Sequence, residues 1–288
     1  MKTRVAIAFG LCLLMAGVYV RGQGAPQPSQ LTTVKLADDL FVIRNAFVPG
    51  NTTAMVTSEG VVLVDDKFEV DADNILAQLK TVTNQPVKYV INTHYHGDHS
   101  GGNAKMQAIG AQVVALERSR QLMVDAKQSG LPTMTFNDRG FVHLGGKSVE
   151  LYYFGRAHTS GDIFAYFPAQ RVVAAGDAFT FGAPTPQLVD YPGGGSAKEW
   201  PRTLDGVLQL DFDRVVPGHG DVTTKAELKK FRDSADAMQK RVHDMLVQKR
   251  TPDEISAVLK AEFNGAQLVF PGLLTGMLVE LQSAEAML

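Results

Sequence analysis

Seven histidines are spread over 288 residues, yet three of them fall within six positions, in Asn92-Thr-His-Tyr-His-Gly-Asp-His-Ser-Gly-Gly-Asn103. The segment follows Val87-Lys-Tyr-Val-Ile91, an apolar run with the length and β-branched content of a strand. A fold that carries it must hold imidazoles and a carboxylate close together at neutral pH, where protonation of one ring repels the next. Imidazole with carboxylate suits zinc and similar divalent cations, and the carboxyl end of a strand is where α/β folds seat their ligands. Residues two apart in an extended segment project the same way, so His94 and His96 can share an ion. Asp98 and His99 lie further round the turn and could face a second. Two ions need more donors. Downstream candidates are His158 in Gly155-Arg-Ala-His-Thr-Ser-Gly-Asp162, Asp177 in Ala174-Ala-Gly-Asp-Ala178 and His219 in Val215-Val-Pro-Gly-His-Gly220. Each sits near an apolar run and within three residues of a glycine, as loop residues at one sheet edge would. Taken singly, each reads as a turn residue; the first cluster makes them candidates for ligation.

The rest of the chain alternates short apolar runs with helical patterns. Leu40–Arg44, Thr53–Thr57 and Val61–Val64 read as strands between turn residues. Asp71–Thr81 has helical spacing of Ile75, Leu76 and Leu79, and a further helix is expected from Asn103 to Ile109. Strands are expected at Gln112–Leu116, Ser148–Phe154, Asp162–Phe167, Arg171–Ala175 and Arg214–Val216, with Pro168-Ala-Gln170 turning a hairpin. Ser196-Ala-Lys-Glu199 has the form of a capping box opening a helix, and so has Thr251-Pro-Asp-Glu254. This much sheet exceeds a single parallel sheet with regular crossovers. Two mixed sheets packed together, flanked by helices, fit one α/β domain over residues 31–288.

The N-terminus reads differently. Lys2 and Arg4 precede an apolar run from Val5 to Val20, and a Gly/Pro/Gln/Ser segment follows. At about 16 residues the run is short for a bilayer-spanning helix, and the layout is that of a signal peptide over residues 1–24. An uncleaved membrane anchor is the alternative. Phe9-Gly-Leu11 before Cys12 lacks the small residue expected beside a lipidated cysteine. Loss of the leader moves the formal charge from −2 to about −5 and removes the one cysteine, Cys12. The remaining chain then has no disulfide and no thiolate ligand. It also lacks the basic excess of a nucleic-acid surface. A secreted or periplasmic protein acting on a small molecule, with no nucleic-acid partner and no membrane contact after leader removal, is expected.

The motif His94-x-His96-x-Asp98-His99, with the later His158, Asp177 and His219 and with Gly60-Val-Val-Leu-Val-Asp65, resembles the metallo-β-lactamase superfamily. The resemblance is clearest from Val34 to Gly220. It implies a four-layer αββα sandwich with two zinc ions at the sheet edges, and iron or manganese could occupy the same groups. It further implies that His94, His96 and His158 hold the first ion and Asp98, His99 and His219 the second. Asp177 bridges or supports them, Asp98 also orients the attacking water, and Asp65 holds a ligand histidine in place. His143 and His243 match no part of the motif; the first reads as a loop residue and the second as a polar helix position.

Within that family the absence of cysteine excludes the β-lactamase subclasses that use a thiolate ligand, and leaves the all-histidine subclass. Gly176-Asp177 resembles instead the bridging aspartate of glyoxalase II and lactonases. Hydrolysis of a cyclic amide or ester, a β-lactam or a lactone, is the expected activity. The alternatives are a thioester or linear carboxylic ester, a phosphate or sulfate ester, and, from another class, a non-catalytic metal- or partner-binding domain on the same fold. Phe47 and Val48, in Asn45-Ala-Phe-Val-Pro-Gly50, stand where family members carry an apolar flap. Ala183-Pro-Thr-Pro186 and Tyr191–Gly195 have the irregular composition of lids. Trp200 reads as core.

Overall fold

The computed structural model describes residues 27–182, 189–263 and 276–281. The expected leader and Ala183–Pro186 lie outside the described residues. Among those described, no helix is long and apolar enough to cross a membrane.

The first sheet has seven strands in chain order: β1 (Thr32–Ala37), β2 (Leu40–Arg44), β3 (Thr52–Val56), β4 (Val61–Val64), β5 (Val87–Ile91), β6 (Gln112–Leu116) and β7 (Met134–Phe136). β1 to β4 pair antiparallel, and β4 to β7 pair parallel. The parallel crossovers carry α1 (Ala72–Lys80), α2 (Gly97–Ser100), α3 (Asn103–Ala108) and α4 (Glu117–Asp125). The second sheet also runs in chain order: β8 (Arg139–Leu144), β9 (Lys147–Tyr152), β10 (Phe164–Phe167), β11 (Val172–Ala174), β12 (Arg214–Val216) and β13 (Thr223–Thr224). Its one parallel pair, β11 with β12, is joined through α5 (Trp200–Leu208). α6 (Lys225–Val247) and α7 (Pro252–Glu262) follow.

Strand periodicity explains the layering. In β4, Val62 and Val64 face the second sheet, meeting Leu151, Ala165 and Ala174 in one core. Val61 and Leu63 face the other way, onto Ile75, Leu79 and Met106 of α1 and α3. Both faces of the strand are therefore buried, which is why it is apolar at every position. The second sheet repeats the scheme: Ala165 and Phe167 point inward, while Phe164 and Tyr166 pack under Trp200, Leu204 and Phe231. The result is helix, sheet, sheet, helix, the four-layer sandwich expected. Trp200 is core, 1% exposed, with its indole N–H donated to Ala178 O at 2.8 Å.

Two local expectations need correction. His143 is on β8 rather than on a loop, its exposed ring stacked on Phe141 at 6.0 Å between centroids. β8 itself escapes a hydrophobic reading because its outward face carries Phe141 while only Val142 is buried. The helix expected from Ser196 begins at Trp200. Ser196 Oγ does accept from Glu199 N at 3.0 Å, but Ser196 N–H is taken by Ala157 O and the Glu199 carboxylate by Arg156, so the reciprocal half of the box is missing. The box at Thr251 and Glu254 is complete. His243 lies exposed on α6, as expected.

Two parallel pairs position the site. Val64 aligns with Ile91, and Ala174 with Val216. Their carboxyl ends therefore open on one rim, and Asp65, residues 92–99, Asp177 and His219 follow them directly. β10 runs antiparallel to β11, so the loop entering it brings His158 to the same rim.

Candidate metal centre

All seven expected ligands meet at this rim. Three sets have donor atoms within 4.8 Å of one another: His94, His96 and His158; His94, His99 and Asp177; Asp98, His99 and His219. His158 Nε2 is 2.9 Å from His96 Nδ1, and His99 Nε2 is 3.3 Å from His219 Nε2. Asp177 lies between the groups. Its Oδ1 is 3.2 Å from His99 Nε2 and 3.3 Å from His219 Nε2, while Oδ2 is 3.7 Å from His158 Nε2 and 4.0 Å from His94 Nε2. Asp98 Oδ2 is 3.3 Å from His219 Nε2 and 3.7 Å from His99 Nε2.

The outer nitrogens fix the tautomers. His99 Nδ1 faces Asp65 Oδ2 at 2.8 Å, and His219 Nδ1 faces the Phe47 carbonyl at 2.8 Å. Both partners are acceptors, so each ring carries a proton on Nδ1 and can turn the Nε2 lone pair inward. His96 Nε2 is 2.9 Å from Asp190 Oδ2, which leaves its Nδ1 for the cluster. Asp65 also accepts from Thr93 N and Thr93 Oγ1, both at 2.7 Å. Its backbone is left-handed, φ 61°, a conformation aspartate tolerates better than most residues. Glycines allow the loops to close on the cluster. A Cβ on Gly50 would stand 2.2 Å from His99 Cε1, and one on Gly218 would stand 2.0 Å from Asp177 Oδ1.

This donor set fits divalent cations. His94 Nε2 and Asp177 Oδ1 are buried without a hydrogen bond to satisfy them, which proteins rarely tolerate. Burial and the neighbouring His99 push the His94 pKa well below its usual value. Burial opposes a charged His99 and His219 too, but Asp177 and Asp98 outweigh it: His99 rises well above its usual range and His219 to about 10. Burial likewise opposes an ionised Asp177, yet His99 and His219 hold it well below the usual carboxylate range. The pocket thus draws positive charge, and a cation that enters it displaces those two protons.

Asp190 and Tyr95 were not foreseen. Asp190 Oδ2 accepts from Tyr95 Oη as well as facing His96, and Oδ1 accepts from Gly193 N at 2.9 Å. The only trace of this in the sequence is an Asp before Tyr-Pro-Gly, a turn signature. The stretch expected as a lid, Tyr191–Gly195, belongs to the site wall instead: Asp190 N donates to His158 O and Ser160 N to Gly193 O. Phe47 and Val48 stand exposed above the cluster's edge, with the Phe47 ring 5.1 Å from that of His219.

The family model described as "Metallo-beta-lactamase superfamily" matches residues 45–219. A protein named metallo-beta-lactamase type 2 from Elizabethkingia meningoseptica is 24% identical over 77% of this chain and 88% of its own length. One of the same name from Bacteroides fragilis is 29% identical over 60% of this chain and 70% of its own. A solved metallo-beta-lactamase from Pontibacter korlensis superposes with a TM-score of 0.65 at 25% identity, covering 72% of this chain and 99% of that one. With a family match across most of the chain and the ligands of its motif gathered on one rim, this protein belongs to the metallo-β-lactamase superfamily and is a metal-dependent hydrolase.

Proposed function

We propose that the site holds two zinc ions and hydrolyses a cyclic amide or ester, a β-lactam or a lactone, outside the cytoplasm. His94, His96 and His158 would hold one ion and Asp98, His99 and His219 the other, with Asp177 between them. The observation that carries this reading is the position of Asp177, whose two oxygens face different histidine sets. Bound zinc would supply a water whose pKa is lowered to about 7, and a charge to meet the developing oxyanion. The chain's own groups do the rest. Asp98, its side chain 21% exposed against 10% for Asp177, is the more open carboxylate, placed to orient the attacking water and accept its proton. Asp65 and Asp190 hold His99 and His96 in the tautomers that ligation needs. Phe47 and Val48 offer an apolar surface that covers a bound ring and excludes water. The names of the relatives favour a β-lactam. Asp177, which would lie between the two ions, resembles the aspartate of glyoxalase II and lactonases and favours a thioester or linear carboxylic ester as second reading.

The test is metal content by mass spectrometry on the purified protein, beside turnover of a chromogenic cephalosporin with and without chelator. Two equivalents of zinc with chelator-sensitive turnover support the reading. Two equivalents without turnover redirect it to lactones and thioesters, and no bound metal after reconstitution with zinc overturns it. Asp98→Ala should abolish turnover while the fold persists.

A further inference from the structure

Lys67 is fully buried, 0% exposed, and ranks among the largest side chains enclosed in the protein. Burying an ammonium is costly, and an apolar chain of equal volume is often no worse for stability. Its partners suggest what the charge is for. Lys67 Nζ donates to Gly50 O and to Asn45 Oδ1, at 3.3 Å for the second. These are the two ends of the loop that joins β2 to β3 and carries Phe47 and Val48 at its tip. The loop touches every member of the Asp98, His99 and His219 set. Gly50 N donates to Asp98 O at 3.2 Å, Gly50 lies directly against the His99 ring, and Phe47 O accepts from His219 Nδ1. Burial brings the Lys67 pKa down to about 8, while Asp71, Asp65 and Asp98 hold it up.

We propose that Lys67 is a positioning residue: its ammonium ties both ends of the 45–50 loop together, setting how Phe47 and Val48 stand over a bound substrate. The claim that substrate lies under this loop rests on the proposed function; the claim that Lys67 fastens the loop does not.

Lys67→Met keeps the length of the side chain and removes the charge. Asn45→Ala removes one acceptor at a half-buried position and covers the case in which the first variant fails to fold. Both are compared with wild type as zinc-loaded full-length protein, by hydrogen–deuterium exchange and by cephalosporin kinetics. Exchange at the amides of Ala46, Phe47, Val48 and Gly50 should rise about tenfold, less in Asn45→Ala, while β4, β5 and α5 keep their protection. KM should rise about tenfold with kcat changed less than about threefold. Unchanged loop exchange in the folded variants, or a rise spread equally over the sheets as for an ordinary core substitution, would overturn the proposal. If the wild type does not turn over the cephalosporin, the substrate reading fails and the exchange data alone decide the role of Lys67.

Discussion

Replacing Asp65 by asparagine tests the link between a buried carboxylate and the metal centre. Asp65 is 2% exposed and accepts three hydrogen bonds, from Thr93 N, Thr93 Oγ1 and His99 Nδ1. Asparagine has the same shape but one oxygen. If that oxygen stays on Thr93 N–H, the amide NH2 faces Thr93 Oγ1 and His99 Nδ1. The hydroxyl can rotate to accept; the imidazole can accept only by moving its proton from Nδ1 to Nε2. Nε2 is the atom aimed at Asp98, Asp177 and His219, so the change protonates the donor the ion needs. Loss of a partner of this kind typically weakens metal affinity about 10–100-fold, which is about 1.4–2.8 kcal/mol. The loss should fall mainly on the equivalent that His99 holds, since His96 and His158 do not touch Asp65 and His94 meets it only through Thr93 Oγ1, 3.1 Å from His94 Nδ1. Competition with a chromophoric chelator reads both affinities on purified protein. If Asp65→Asn binds two equivalents as tightly as wild type, Asp65 does not set the His99 tautomer and the argument fails.

Gly50→Ala would place a methyl 2.2 Å from His99 Cε1; the ring must swing away, and mass spectrometry should show one equivalent of metal lost, with turnover down about a hundredfold for a misplacement near 1 Å. In metal-free protein burial opposes an ionised Asp190, but hydrogen bonds from His96 and Tyr95 lower its pKa to about 2. The sign follows: its contribution is present above its unfolded value of 3.8 and fades as pH falls toward 2. The urea midpoint of Asp190→Asn should therefore lie below wild type at pH 6, with the gap roughly halved by pH 3 and closing only as pH falls toward 2; a constant gap would refute this. Thr251→Ala breaks the complete capping box of α7, where Thr251 Oγ1 accepts from Glu254 N and Glu254 accepts from Thr251 N. It should cost about 1 kcal/mol and lower Tm by about 2–4 °C without changing metal content, as calorimetry and mass spectrometry would show.

The donor cluster was legible because its members are scarce residue types, contiguous in sequence and preceded by a strand. His158, Asp177 and His219 were legible through the company they keep. Asp190 was not, because nothing in an isolated Asp before Tyr-Pro-Gly marks the imidazole it will meet 94 residues away. Lys67 was not, because charge is normally read as surface, and only the packing shows an ammonium closed beneath a loop. The layers followed from strands such as β4 and β10, apolar at every position and therefore in need of cover on both faces. Where the outward face carries an aromatic residue, as Phe141 beside the inward Val142 in β8, the alternation is blurred and the strand is lost to view. The start of α5 was misplaced because Ser196 and Glu199 have the right spacing for a capping box, but each finds a tertiary partner first.

The two parallel strand pairs that share a rim belong to different halves of the chain, and that fixes what a bound ion does mechanically. His96 and His158 are 62 residues apart, and His99 and His219 are 120 apart. A cation held by either set is a cross-link between the halves, closing a loop as a disulfide would, and for loops near 100 residues that constraint is of the order of about 4–5 kcal/mol. The single cysteine of the chain is at position 12, so no sulfur bridge links the two sheets. Only Asn137 and Asp138 separate β7 from β8. A nick there would leave two fragments, each holding candidate ligands that the other lacks, and a bound ion would tie them together beside the core they already share.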